Sequence, residues 1–171
     1  HFGDPDGGFF DTSHDHETLV TRPKNLQDNA TPSGNGMAAT VFARLYSLTG
    51  DARYAAAVDT ALPLVSDAAQ KFPSAFAQWL SAADYVEGGA REIAIVGPID
   101  DPATRRLIDT AQAAYRPRQV VAVGSSENGS SVPLLEHRSQ LDGQATAYVC
   151  RNFACNLPVT DAAALAAQLE S

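Results

Sequence analysis

The densest concentration of groups able to do chemistry lies near the start of the chain. Asp4, Asp6, Asp11, His14, Asp15, His16 and Glu17 crowd one short stretch. Paired carboxylates support general acid–base work, and histidine moves protons near neutral pH. Arg22, Lys24, Asp28 and Asn35 follow, a mixed polar set suited to gripping a polyhydroxylated or anionic ligand. The competing account is a solvated loop held by Asx-turns. No metal site is expected. Asp4-Pro5-Asp6-Gly7 opens like a calcium loop but lacks the later oxygen ligands and the terminal glutamate. His14-Asp15-His16 lacks a spaced third ligand.

Cys150 and Cys155 are the only cysteines. One pair is too few for a zinc site, and the spacing is not the Cys-x-x-Cys of a helix-borne dithiol. A bridge between them would close a tiny loop and constrain little of the unfolded chain. The pair therefore reads as two small buried hydrophobes, with Arg151 able to favour a thiolate on its neighbour. A reducing, cytoplasmic setting is the default. Gly97-Pro98-Ile99-Asp100-Asp101-Pro102 makes a poor phosphate cradle, because its prolines remove donors and its aspartates repel the ligand. Gly124 to Ser131 reads as a flexible surface loop. Phe9, Phe10 and Trp79 can stack on sugar faces, although Trp79 on an apolar helix face reads as core.

The elements that must position these groups follow from composition and period. The chain has 171 residues with a net charge of −8. That charge argues against nucleic acid and anionic membranes, which need clustered positive charge. No apolar run is long enough to span a membrane. Alanine contributes 30 residues and favours closely packed helices. No signal peptide is read, and the chain opens at His1 rather than methionine, so a piece of a longer protein is expected.

The organisation predicted is three-part. Residues 1–35 form an irregular polar segment anchored by Phe9-Phe10 and Leu19-Val20. Residues 36–87 are helical. Met37, Val41, Leu45 and Leu48 mark a first helix, capped by Ser33 or Asn35 and stopped at Gly50. Asp51 caps a second, with Tyr54, Val58, Leu62 and Val65 on one stripe and a break at Pro63. The Thr49-Gly50-Asp51 link makes the two an antiparallel hairpin. Pro73 starts a third helix, with Phe76, Trp79, Leu80 and Ala83 inward. Residues 88–171 form a small α/β element. Ile93–Val96 and Val120–Val123 are parallel strands flanking a helix from Pro102, a βαβ unit. Ala147–Cys150 adds a strand, and Thr160 or Asp161 caps a closing helix over Ala162–Leu169. The fold class predicted is α+β.

Several segments in order carry a further resemblance. Gly7-Gly-Phe-Phe-Asp-Thr12, Arg22-Pro-Lys24, Asp28-Asn-Ala-Thr-Pro-Ser-Gly-Asn35 and Tyr148-Val-Cys-Arg-Asn-Phe-Ala-Cys155, then Pro158-Val-Thr-Asp161, resemble the C-terminal part of the YyaL-like family, which includes spermatogenesis-associated protein 20. The resemblance covers essentially the whole chain. It implies an N-terminal thioredoxin-like domain, outside this chain, and an (α/α)6 toroid of the six-hairpin glycosidase type. Residues 36–87 would then be the last toroid helices. By analogy the polar segment approaches the toroid mouth. Asp11 and Asp28 become acid/base candidates there, and Arg22, Lys24, Ser33 and Asn35 become substrate-binding ones. The partners expected are a small polar or sugar-like ligand and the rest of the parent chain, with no cofactor. A fragment with too few helices to close a ring is expected to dimerise through Val41, Leu45, Val58 or Trp79. A non-catalytic scaffolding module is the rival class. A redox-associated protein, with its chemistry in the missing thioredoxin-like domain, is another.

Overall fold

The computed structural model describes residues 1–17, 20–124 and 132–170. Its α+β chain divides into two compact units. One holds His1–Tyr46 with Asp51–Gly88, and the other Ser47–Gly50 with Gly89–Ser171.

In the first unit, the described residues before Gly34 run without helix or extended strand. Helix α1 (Gly34–Thr49) starts three residues earlier than its apolar pattern suggested. Its buried stripe is also different: Asn35, Ala39 and Ala43 are buried, while Met37 and Val41 are exposed. Small side chains at four-residue spacing let neighbouring backbone approach closely, and that outweighs the larger hydrophobes. Asp51 caps α2 (Ala52–Ala61) by accepting from the Arg53 N–H. The expected break at Pro63 occurs as a 3₁₀ turn, Leu62–Val65, followed by α3 (Ser66–Lys71). Pro73 opens only another short turn, Pro73–Ala75, and α4 (Ala77–Glu87) begins after it. The inward face of α4 is Trp79, Ala82 and Tyr85, whereas Leu80 is exposed. Ala39, Ala61, Val65, Ala69, Phe76, Trp79 and Ala82 form this unit's core. Val20 is wholly exposed and anchors nothing; Leu19 lies outside the described residues.

The second unit contains β1 (Arg91–Val96), α5 (Pro102–Gln112), β2 (Gln119–Gly124), β3 (Thr146–Arg151), β4 (Ala154–Cys155) and α6 (Ala162–Glu170). The sheet order is β2-β1-β3-β4. β1 and β2 run parallel, as the βαβ reading requires, and β3 is antiparallel to β1. β1 is central, so all but its first residue are buried, which is why it reads as an unbroken apolar run. Ile93, Ile95, Ala147 and Val149 pack with Leu107 and Ala111 of α5 and with Leu165 and Leu169 of α6. Alternation puts Glu92, Ala94, Val96 and Cys150 on the opposite face. The turn Pro133–Leu135 lies against β1 and β2, with Leu134 and Leu135 buried. Asp101 caps α5 and Asp161 caps α6 through their second-following N–H groups. The loop expected over Gly124–Ser131 lies outside the described residues after Gly124.

Glu92 is the charged residue on this inner surface, 2% exposed. Its carboxylate accepts the Phe153 N–H at 2.9 Å. Burial pushes its pKa above the ordinary 4.5, although that N–H and the Arg138 charge pull the other way. The unfolded chain therefore ionises first as pH rises. The contribution of Glu92 to stability is greatest below about pH 4.5 and falls with rising pH until the folded Glu92 ionises. Glu92→Gln keeps an acceptor for Phe153. It is expected to be more stable than the parent at neutral pH, with the difference vanishing towards pH 4. Urea unfolding at a series of pH values checks this.

Candidate functional site

The polar segment is folded onto the start of α1 by its own side chains. Asp4 to Gly8 make a tight reversal, with Gly7 N–H donating to Asp4 O and Asp4 N–H to Gly8 O. Gly7 and Gly8 both hold positive φ, +97° and +72°. A Cβ on Gly8 would lie 2.9 Å from Asn35 Oδ1, and one on Gly7 2.8 Å from Thr60 O. Glycine is required there for both backbone angle and space.

Asn35 is the centre of this arrangement and is 1% exposed. Its Oδ1 accepts the Phe9 N–H at 2.7 Å, and its Nδ2 donates to Phe9 O at 2.8 Å and Asn25 O at 3.2 Å. Lys24 reaches Asp4 Oδ2 at 2.7 Å and Gly7 O at 3.0 Å. That ammonium holds the Asp4 carboxyl below the ordinary carboxylate value. Arg22 donates to Thr12 O at 2.6 Å and lies 4.1 Å above the Phe10 ring. Ser33 Oγ caps α1 by accepting the Gly36 N–H at 3.1 Å.

Asp28 has both oxygens engaged. Oδ1 accepts the Ser33 N–H and Oδ2 the Gln78 N–H, each at 2.8 Å. Phe76, at the N-cap position of α4, has no side-chain acceptor to offer. Asp28 supplies that acceptor from 50 residues upstream, beside a helix N-terminus that favours an anion. Asp11 is exposed and, among the described residues, accepts only a long, shared hydrogen bond from Asn25 N–H, at 3.2 and 3.3 Å.

Of the residues singled out in sequence, Phe9, Phe10, Asp11 and Asn35 border one hollow of about 390 Å³. Phe2, Gly34, Ala38 and Phe42 complete it. Phe9 and Phe42 sit 5.4 Å apart, and Phe42 stacks on Tyr54 at 5.7 Å. The hollow thus offers aromatic faces, a carboxylate at the rim and the N-terminus of α1. Phe2 and Phe42 lie 40 residues apart with no shared period, so only the folded chain brings them to one hollow.

His1, His14 and Asp15 bring potential ligand atoms within 4.8 Å of one another, all exposed. Sequence spacing offered no third neighbour for His14, and chain folding supplies His1. A larger, apolar groove of about 710 Å³ runs between α3 and α4, lined by Leu62, Pro63, Val65, Trp79, Leu80 and Val86. Val58 and Trp79 are buried inside the unit, so the uncovered surface is centred on Leu80 and Val86 instead. Val41 is exposed and Leu45 half-buried.

The cysteines are neither free nor independently buried. Cys150 and Cys155 form a disulfide. They are directly opposite in the β3–β4 pairing, joined by a tight turn with positive φ at Asn152 (50°) and Phe153 (63°). That hairpin corrects the reading of two small core residues: Cys150 is buried as read, but Cys155 is exposed and the two are bridged. Among the described residues, no helix is long and apolar enough to cross a membrane.

No family model matches the chain, and no solved structure does. Human spermatogenesis-associated protein 20 is 30% identical over 147 residues, covering 84% of this chain and 19% of its own length. The rat protein of that name is 28% identical over 91% of the chain, and the mouse protein 27% over 94%. These relatives support that family. The chain spans about a fifth of the length of the curated relatives it matches.

Proposed function

We propose, from this similarity, that the chain is the C-terminal part of a longer cytoplasmic protein in which α1–α4 belong to an (α/α)6 toroid. The thioredoxin-like domain of that protein lies outside the chain, and so does any chemistry of its own. On this reading the groove beside Leu80 and Val86 is covered by the remaining helices of the parent chain.

Within the chain, the hollow at Phe9, Phe10, Asp11 and Phe42 binds a small polyhydroxylated, sugar-like ligand. The observation that carries this is the joining of aromatic faces to an exposed carboxylate in one concavity of ligand size. Apolar sugar faces stack on phenylalanine, and hydroxyls donate to Asp11. Binding is favoured over turnover because Asp28 is committed to two backbone N–H groups. Asp11 is then left without a second free carboxylate from the proposed acid/base pair. Arg22, Lys24, Ser33 and Asn35 support the hollow by fixing the loop rather than by meeting the ligand.

The test is a thermal-shift panel of neutral sugars and sugar phosphates. At least one should raise the unfolding temperature, and Asp11→Ala and Phe10→Ala should each abolish that rise. Asp28→Ala is expected to cost about 1–2 kcal/mol of stability through the lost cap yet keep the ligand shift. A panel without any shift overturns the reading. Loss of the shift in Asp28→Ala with its retention in Asp11→Ala would move the ligand contact to Asp28 instead.

A further inference from the structure

The second unit carries an arrangement that no part of the proposed binding reading uses. The Arg138 guanidinium donates to both sulfurs of the Cys150–Cys155 bridge. Its Nη2 lies 3.2 Å from Cys155 Sγ and 3.6 Å from Cys150 Sγ. Nη1 is tied to the carbonyls of Leu134 and Glu136, so the group is fixed rather than swinging. A neutral disulfide gains little from a cation, but a thiolate gains a great deal. The two sulfurs also differ in access, since Cys150 is 1% exposed and Cys155 is exposed. The bridge closes a loop of only a few residues, at a sequence separation of 5, so it restricts the unfolded chain less than a long-range bridge would. Glu92, opposite Cys150 in the sheet, holds the turn through Phe153 N–H. It thereby keeps Cys155 presented at the hairpin end.

We propose that the Cys150–Cys155 hairpin is a thiol–disulfide exchange site, with Cys155 as the sulfur attacked and Arg138 as the positioning cation. The co-reactant is a small monothiol of the glutathione class. Its thiolate attacks Cys155 Sγ, a mixed disulfide forms there, and the Cys150–Cys155 bond breaks. Cys150 leaves as a thiolate beside Arg138 and takes a proton from water. A second thiolate then attacks the small-molecule sulfur of the mixed disulfide and frees Cys155. Two electrons pass to the bridge, and two monothiols become one disulfide. The charged and titratable groups around the sulfurs are Arg138, Glu92, Tyr148 and Arg151, with His137 and Glu136 beside Arg138.

The experiment treats the folded chain with millimolar glutathione at neutral pH and follows the bridge by alkylation and mass spectrometry. Reversible reduction is expected, with refolding unnecessary. Arg138→Gln should slow reduction by about tenfold, because the leaving thiolate loses its cation. In Cys150→Ser, oxidised glutathione should modify Cys155. Adding Arg138→Gln to that variant should raise the pH midpoint of Cys155 alkylation. A bridge that resists glutathione until the chain is unfolded overturns the proposal. So does an Arg138→Gln chain reduced at the parental rate. The wild-type and Arg138→Gln rates decide the matter even if Cys150→Ser fails to fold.

Discussion

Trp79→Ala is expected to destabilise the first unit by about 4 kcal/mol, the larger end of single-residue effects. Trp79 is 1% exposed and sits in the alanine-rich core with Ala39, Ala61, Ala69 and Ala82. Alanine methyl groups are short and have no rotamers with which to refill the space, so much of the cavity persists and its cost is added to lost burial. The indole Nε1 also donates to Leu26 O at 2.8 Å, tying the polar segment to α4. Removing it leaves that carbonyl without its donor. Urea denaturation should show the loss. Trp79→Phe should recover most of the packing but not the hydrogen bond, and fall about 1–2 kcal/mol short of the parent.

Asn35→Ala is expected to cost about 3 kcal/mol and to loosen residues 1–33 rather than the helices. Three hydrogen bonds end on this one buried amide, and its loss strands both backbone groups of Phe9. Hydrogen exchange should show the Phe9 amide losing protection, with the amides of α4 little changed. Asn35→Asp keeps the acceptor for Phe9 N–H but loses both donors and buries a charge, so it should do no better. An unchanged Phe9 amide in Asn35→Ala would show that the segment is held by other means. The same variant bears on the proposed hollow, because Phe9 and Asn35 both line it.

The two results together separate what each residue does from what its chemistry alone suggests. Asn35, Asp28 and Lys24 have the functional groups of a binding site, yet each spends them on backbone or on a neighbouring carboxylate. Asp11 is the least engaged, with one long, shared hydrogen bond from the Asn25 N–H, and it carries the proposal for that reason. The cysteine pair shows the reverse. Spacing made a useful bridge look improbable, and the hairpin register makes it direct.

What the sequence determined by itself is local. Asp51, Asp101 and Asp161 cap helices two residues away, so the acceptor and the donor share one short stretch. The βαβ unit was legible because β1, α5 and β2 each carry their own period and follow in order. Pro63 stops α2 through its missing N–H and its ring, whatever surrounds it. Tertiary structure decided the rest. The capping of α4 by Asp28 spans 50 residues, and no periodicity records such a distance. The buried stripe of α1 runs through Ala39 and Ala43 instead of Met37 and Val41, because close approach of neighbours selects the small face. β4 has two residues and exists only by pairing with β3, with Asn152 and Phe153 forced to positive φ. The acidic and histidine cluster that first drew attention was dispersed in the same way. Its members are distributed among a turn, an ion pair, an exposed rim and a solvated surface, since residues adjacent in sequence without a regular period point wherever their long-range partners lie.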